Sequence, residues 1–191
     1  RLDVMEQAAD ASTYERERFG DREAAAVELG YPSGGQWGPT PVAYWPLDEE
    51  SGSTTADVVG SNDGSIQGAT IGIGGTLDTS TYDFDGSDDY VSGATDIAAL
   101  QGTASMSFWV NTTQRGEDTV YQAPGVTGVE SNGDQDDVFW GWIDQDGHIG
   151  VTSGNDLGAQ STSVVADGEW HHVVLTRAAG TGDVQVYVDG T

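Results

Sequence analysis

The sequence predicts an all-β fold, an antiparallel β-sandwich, preceded by a short helical segment. Three observations carry this reading. From residue 42 onward, short alternating runs recur, each bounded by Gly, Asp, Asn or Ser, the pattern of many short strands joined by tight turns. Residues 1–30 instead hold Ala8, Ala9, Ala24, Ala25 and Ala26 among Glu and Arg, with no Pro and only Gly20 and Gly30, a composition that favours helix. Between them, Tyr-Pro-Ser-Gly-Gly-Gln-Trp-Gly-Pro-Thr-Pro over 31–41 is a linker by composition.

In the first segment, Leu2, Met5, Ala9, Phe19, Ala26 and Leu29 mark one incomplete apolar stripe, so the spacing predicts one or two short helices broken near Gly20. That stripe is too small to fold alone. Residues 1–30 are therefore expected to be a docking adaptor, set against the main domain or a neighbouring subunit. No sustained heptad supports a coiled coil. The sandwich is expected over 42–191, with β-like runs at Val42–Leu47, Thr81–Phe84, Tyr90–Ser92, Ser105–Thr112, Val138–Asp144, His148–Thr152, Ser161–Val165, Trp170–Arg177 and Asp183–Val188. Asp146-Gly147 reads as a hairpin turn, and Asp167-Gly168 opens the next strand. Alternation puts Met106, Phe108 and Val110 on one face and Ser105, Ser107, Trp109 and Asn111 on the other. Val173 and Leu175 oppose Trp170, His172, Val174 and Thr176; with both faces partly apolar, this strand is expected to be central in its sheet.

Charge excludes several functions. Asp and Glu number 32 against 6 basic residues, all Arg, for a net charge of −26. Such a surface repels phosphate backbones, so nucleic acid is not an expected partner. No stretch approaches the ~18 apolar residues of a membrane span, and the absence of Cys rules out disulfides. Self-repulsion at this charge density is relieved by concentrated salt. The acid-rich, Lys-free composition resembles proteins of extremely halophilic archaea and their viruses. A calcium buffer would cluster its acids at fixed spacing, and these are spread out.

Several runs carry a more specific resemblance. Val42-Ala-Tyr-Trp-Pro-Leu-Asp-Glu-Glu-Ser-Gly-Ser-Thr-Thr-Ala-Asp57, Gly60-Ser-Asn-Asp-Gly-Ser-Ile-Gln-Gly68, Tyr82-Asp-Phe-Asp-Gly-Ser-Asp-Asp-Tyr-Val91, Met106-Ser-Phe-Trp-Val110, Gly168-Glu-Trp-His-His-Val-Val-Leu-Thr176 and Val186-Tyr-Val-Asp-Gly190 occur in that order. Together they resemble the laminin-G-like, concanavalin A-like lectin/glucanase jelly-roll family over about residues 42–191. The resemblance implies two stacked antiparallel sheets. Members of the family continue past the Tyr-Val-Asp-Gly hairpin with further strands, whereas this chain begins at Arg1 and stops at Thr191. The expectation is a longer protein, or a neighbour that fills the gap, because unpaired edges are a liability.

The fold also hosts glycanases, which need paired carboxylates flanking the sugar bond, about 5–5.5 Å apart for retention. Their Glu-x-Asp-x-x-Glu strand pattern is not found here; Glu117 and Glu130 lack an acidic partner at strand spacing, and Glu49-Glu50 point apart. His148, His171 and His172 show no Ser or Cys companion pattern, and the last two read as packing residues of a family motif. The protein is accordingly expected not to be an enzyme. For metals, Asp83-Phe-Asp-Gly-Ser-Asp-Asp89 and Asp134-Gln-Asp-Asp137 are dense enough in oxygen to interest a hard cation, though an Asp cluster in so acidic a chain also reads as solvated surface. The family resemblance implies one structural Ca2+ with Asp48, Asp57, Asn62 and Asp85 as ligands. For sugars, Val138-Phe-Trp-Gly-Trp-Ile-Asp144 places Trp140 and Trp142 on one face at strand spacing, about 7 Å apart. They read either as a stacking platform extended by Trp109 and Tyr121 or as sandwich core. Trp45, Trp109 and Trp170 sit in family motifs and read as core as well. Asn111-Thr112-Thr113 is a glycosylation sequon that matters only in an exported protein.

The function expected from these features is non-catalytic recognition of a cell-surface glycan or glycoprotein. It would be exercised outside the cell in high salt, by a homo-oligomeric subunit of a virion appendage such as a tail fibre. Residues 1–30 would contact other subunits of the assembly. An exported archaeal surface or pilus-associated adhesin, and a structural spacer that binds no sugar, are the alternatives.

Overall fold

The computed structural model describes residues 2–3, 41–76, 79–95, 97–117, 119–129, 137–153 and 158–191. The adaptor and linker expected over 1–41 lie outside this set, apart from Pro41 and a two-residue strand, Leu2–Asp3, where helix was expected. In chain order the strands are β1 (Leu2–Asp3), β2 (Thr54–Thr55), β3 (Gly64–Gln67), β4 (Thr70–Gly74), β5 (Ser80–Asp83), β6 (Tyr90–Gly93), β7 (Ala104–Asn111), β8 (Thr127–Val129), β9 (Val138–Ile143), β10 (His148–Ser153), β11 (Ala159–Val164), β12 (Trp170–Ala178) and β13 (Asp183–Val188). Two 3-10 turns, Ala98–Gln101 and Val120–Gln122, are the helical elements among the described residues outside 1–40. The all-β expectation holds.

The chain forms two compact units. One comprises residues 3–95, the other 96–191 with Arg1–Leu2. In the first, β2, β3 and β6 make a sheet of order β2-β3-β6, and β4 and β5 form a separate hairpin. The expected strand at Val42–Leu47 is irregular instead. Pro41 and Pro46 cannot donate to a ladder, Leu47 has a φ of +54°, and the Tyr44 amide is spent on the Asp57 carboxylate at 3.0 Å. The two-residue β2 and the Gly-containing β4 and β8 escaped the alternation pattern because each offers too few side chains to show a period.

The second unit is a two-layer sandwich. One sheet runs β1-β7-β12-β13 and the other β11-β10-β9-β8, with β10 and β11 packed against β12 and β13. β12 pairs antiparallel with β7 on one side and β13 on the other, the central position its two-sided hydrophobicity predicts. Its inner face buries Val173 and Leu175 alongside Phe108 and Val110 of β7 and Val188 of β13. The other layer buries Val138, Trp140, Ile149 and Val151. Each side chain of this size removed from water contributes roughly 1.5–3 kcal/mol. The β9–β10 hairpin turns at Asp146-Gly147 as expected, closed by the Gly147 amide donating to Asp144 O at 3.2 Å, with Gly147 at a φ of +91°. The Asp144 carboxylate locks the turn by accepting from the Asp146 and His148 amides at 2.9 and 2.8 Å.

Along β9, Trp142 opposes Gly150 but Trp140 opposes Val151, so Gly141 is an extra residue with no partner. It has a φ of +74°, which makes it a β-bulge of the glycine type. A Cβ there would come 2.6 Å from Val126 Cγ2 and 3.4 Å from Phe108 Cζ. Gly141→Ala therefore combines a left-handed backbone penalty with a core clash. We expect a loss of about 2–4 kcal/mol, read as a lower urea midpoint at unchanged slope.

Candidate functional site

The bulge separates the two tryptophans proposed as a sugar platform. With one residue inserted between them, Trp140 faces the side of Val151 and Trp142 the side of Gly150. Both are buried, Trp140 at 0% and Trp142 at 1% exposure. Trp140 donates its indole N–H to Leu100 O at 3.2 Å. Trp142 lies against Gly150, where a Cβ would come within 2.7 Å of its Nε1 and Cε2. Neither ring can stack on a sugar, so the platform is corrected: Trp140 is sandwich core, and Trp142 is buried on the opposite face of its sheet, against Gly150. Tyr121 falls in the 3-10 turn Val120–Gln122, and its side chain lies outside the described set. Trp45 and Trp170 are half-buried, with the Trp45 indole donating to Asn62 O at 2.9 Å.

Trp109 survives as a surface candidate, with different neighbours. It is half-buried on the outer face of the β7–β12–β13 sheet, and its ring tilts against His172 at a centroid distance of 5.3 Å. Ser107 Oγ lies 2.9 Å from His172 Nε2. Register brings Val174 between Ser107 and Tyr187, and Tyr187 is 38% exposed. Trp109 and Tyr187 thus stand two strand widths apart and two residues offset along the strands, about 12 Å, with His172 and Val174 between them. The face consists of Ser105, Ser107, Trp109 and Asn111 from β7, Trp170, His172, Val174 and Thr176 from β12, and Gln185 and Tyr187 from β13. None carries a carboxylate; Asp183 and Asp189 stand at the two ends of β13. Sequence reading missed the Ser107–His172 contact because it joins residues 65 apart, and only strand pairing brings them together. Ser107 sits in the middle of a regular strand rather than on the strained turn that presents an activated nucleophile, so the contact is a cross-strand hydrogen bond. Asn111, the sequon residue, donates its side-chain amide to Gly168 O at 2.8 Å.

A latch of charged groups adjoins this face. His171 Nδ1 lies 2.8 Å from Asp189 Oδ2, and its Nε2 lies 3.1 Å from Asp167 Oδ1. Asp189 has a φ of +52°, accepts the His172 amide at 2.9 Å and donates its own to His172 O at 2.9 Å. The turn of β13 is thereby pinned to β12.

In the other unit, Asp57 is 1% exposed. Its Oδ1 accepts the amides of Tyr44, Val59 and Gly60, and its Oδ2 that of Asn62, at 2.9–3.2 Å. Burial alone raises its pKa, but the four amides outweigh burial and hold it below the usual carboxylate value of 3.8. Asn62 is likewise committed: its Oδ1 accepts from Thr95 N at 2.7 Å and its Nδ2 donates to Thr95 O at 2.9 Å. These two residues build a loop. Glu49 accepts the Ala56 amide at 2.9 Å and the hydroxyl of the buried Tyr82. Burial, then this carboxylate, push the Tyr82 pKa up.

The ligand set Asp48, Asp57, Asn62 and Asp85 is not assembled. Among the described residues, the one group of three or more metal-ligating acids or histidines is Asp85, Asp88 and Asp89, with carboxylate oxygens within 4.8 Å of one another. Two of its oxygens already accept amides, from Ser87 at 2.8 Å and from Asp85 at 2.8 Å. Gly68 makes room for Asp89, since a Cβ there would collide with that carboxylate. Three carboxylates at this spacing fit a hard cation such as Ca2+, with water completing the shell. The Asp134–Asp137 loop lies outside the described residues except for Asp137.

No helix among the described residues is long and apolar enough to cross a membrane. No curated protein and no solved structure matches the chain. A family model, that of the concanavalin A-like lectin/glucanases superfamily, matches residues 85–191. That stretch covers more than half of the 191 residues and contains the β7–β12–β13 face, and the chain belongs to this superfamily.

Proposed function

We propose that the protein is a non-catalytic recognition module that binds a cell-surface glycan or glycoprotein through the outer face of β7, β12 and β13. The composition of that face carries the reading. It presents hydroxyl, amide, indole, imidazole and phenol groups and no carboxylate between the strand ends, in a chain of net charge −26. Sugars are held by stacking on aromatic rings and by hydrogen bonds to their hydroxyls, and the face offers both. The superfamily supports the coarser statement, a carbohydrate-binding or structural role. The Asp85, Asp88 and Asp89 triad is proposed as the place for a structural Ca2+.

The finer setting rests on composition. An acid-rich chain without Lys suits a surface exposed to molar salt, outside the cell. Within that setting we propose a host-attachment role as a homo-oligomeric subunit of a virion appendage such as a tail fibre, docked through residues 1–30. An exported archaeal surface or pilus-associated adhesin would use the same face.

The test is binding of the fluorescently labelled protein to haloarchaeal cells in molar salt, with glycans intact or stripped. A Trp109→Ala, Tyr187→Ala double variant is expected to lose roughly tenfold or more in affinity while staying folded, since each aromatic contact contributes about 0.5–1.5 kcal/mol beyond its area. Stripped cells should retain no binding. A second reading, a spacer domain that binds no sugar, is favoured by the burial of Trp140 and Trp142. Absence of binding throughout, with the fold intact, would decide for the spacer.

A further inference from the structure

We infer that His171 is a positioning residue for the β7–β12–β13 face, bracing it when protonated and releasing it when neutral, so that recognition is pH-dependent. The inference rests on the recognition reading above. Its geometric core is the double contact of one imidazole with two carboxylates, Asp189 at 2.8 Å and Asp167 at 3.1 Å. A neutral imidazole carries one N–H, so both contacts are hydrogen bonds only in the imidazolium. Deprotonation leaves a ring lone pair facing a carboxylate on one side, whichever tautomer forms.

Both arms of the latch reach the face. Asp189 holds the backbone of His172 through two hydrogen bonds, and His172 carries the contacts to Ser107 and Trp109. Asp167 belongs to the turn whose Gly168 donates its amide to Thr112 O at 3.0 Å and accepts the Asn111 side-chain amide at 2.8 Å. Loss of either arm therefore loosens one side of the same surface.

The surroundings of His171 fix the sign. From β7 its cross-strand partner is Val110, which does not titrate. β10, which also packs on β12, contributes the buried Ile149 and Val151. Asp167 faces it from the preceding turn and Asp189 from the turn after β13, while His172 acts on Asp189 in turn. Burial disfavours the imidazolium, but the two carboxylates outweigh it and hold the His171 pKa above the usual 6.5. Asp167 is held below 3.8 by the Glu169 amide and then by His171. Burial opposes the same shift in Asp189, and His171 with the His172 amide overcomes it. A raised histidine contributes bracing that is complete below 6.5 and is lost as pH rises through the raised value; the lowered acids keep theirs until pH falls below 3.8.

The experiment measures cell binding of the full chain in molar salt from pH 5.5 to 8.5, for the wild type, His171→Gln and the milder Asp167→Asn. NMR titration of the His171 ring and of the Trp109 indole and Asn111 amide signals accompanies it. Wild-type affinity is expected to fall roughly fivefold or more across the range, with a midpoint matching the His171 titration, while His171→Gln is flat. Asp167→Asn, which removes one arm, should lower the midpoint if His171→Gln does not fold. Binding that ignores pH, or a pH step that persists in His171→Gln, overturns the inference and leaves the recognition reading standing. No binding at any pH sinks the recognition reading instead, and the NMR arm then decides. Trp109 and Asn111 signals that follow His171 support the brace; signals that do not follow it overturn it.

Discussion

Trp140→Ala is expected to destabilise the unit spanning residues 96–191 by about 3–5 kcal/mol, a core effect that no sugar ligand rescues. The ring is wholly buried, and truncation leaves both a cavity and a Leu100 carbonyl without its indole donor. At a slope of about 2 kcal/mol/M in urea, the midpoint should drop by roughly 1.5–2.5 M. Trp109→Ala is the control. Half-buried on the outer face, it should cost no more than about 1.5 kcal/mol while lowering glycan binding. The two variants thus separate packing from recognition within one residue type. A stable Trp140→Ala protein that lost only its binding would overturn the assignment of Trp140 to the core.

The bulge at Gly141 marks the boundary of what the sequence discloses. Alternation identified β7, β12 and β13 and assigned the faces of β7 and β12 correctly, because period-two patterning survives wherever a strand is regular, as Phe108 and Val110 against Ser107 and Trp109 illustrate. It failed on β9, where one glycine at positive φ adds a residue and turns every side chain beyond it to the other face. A Gly between two Trp is visible in the sequence; its φ is not, because the conformation is set by the register of β10 and by the crowding of Val126. The polar pairs were hidden for a different reason. His171 meets Asp189 across a hairpin and Asp167 across a turn, and Ser107 meets His172 across a ladder. Each of these residues, alone, looks like an ordinary member of its strand or turn. The acidic loop at 83–89 was legible as a dense run, yet the carboxylates that the fold brings together are those of Asp85, Asp88 and Asp89, a grouping that the run alone does not single out.

Asp57→Ala is expected to be among the most damaging substitutions in the unit spanning residues 3–95, at about 3–5 kcal/mol, although it removes neither an apolar group nor an ion pair. One carboxylate satisfies four backbone amides drawn from two segments, Tyr44 on one side and Val59, Gly60 and Asn62 on the other. Deleting it orphans the Tyr44 amide, which the irregular 42–47 segment cannot place in a ladder, together with those of Val59, Gly60 and Asn62, so the loop must open to water or rearrange. Asp57→Asn keeps an acceptor for the amides on Oδ1 but turns an NH2 toward the Asn62 amide, and should cost about half as much. The pH dependence has a definite sign. Because the four amides hold the folded pKa below 3.8, the contribution is complete above that value and is lost as pH falls through the folded one. Wild-type stability should therefore drop between about pH 4 and pH 2 more steeply than that of Asp57→Asn, in urea titrations at constant high salt. Equal slopes for the two proteins would mean that the carboxylate's charge adds nothing to its geometry, and that the loop is held by shape alone.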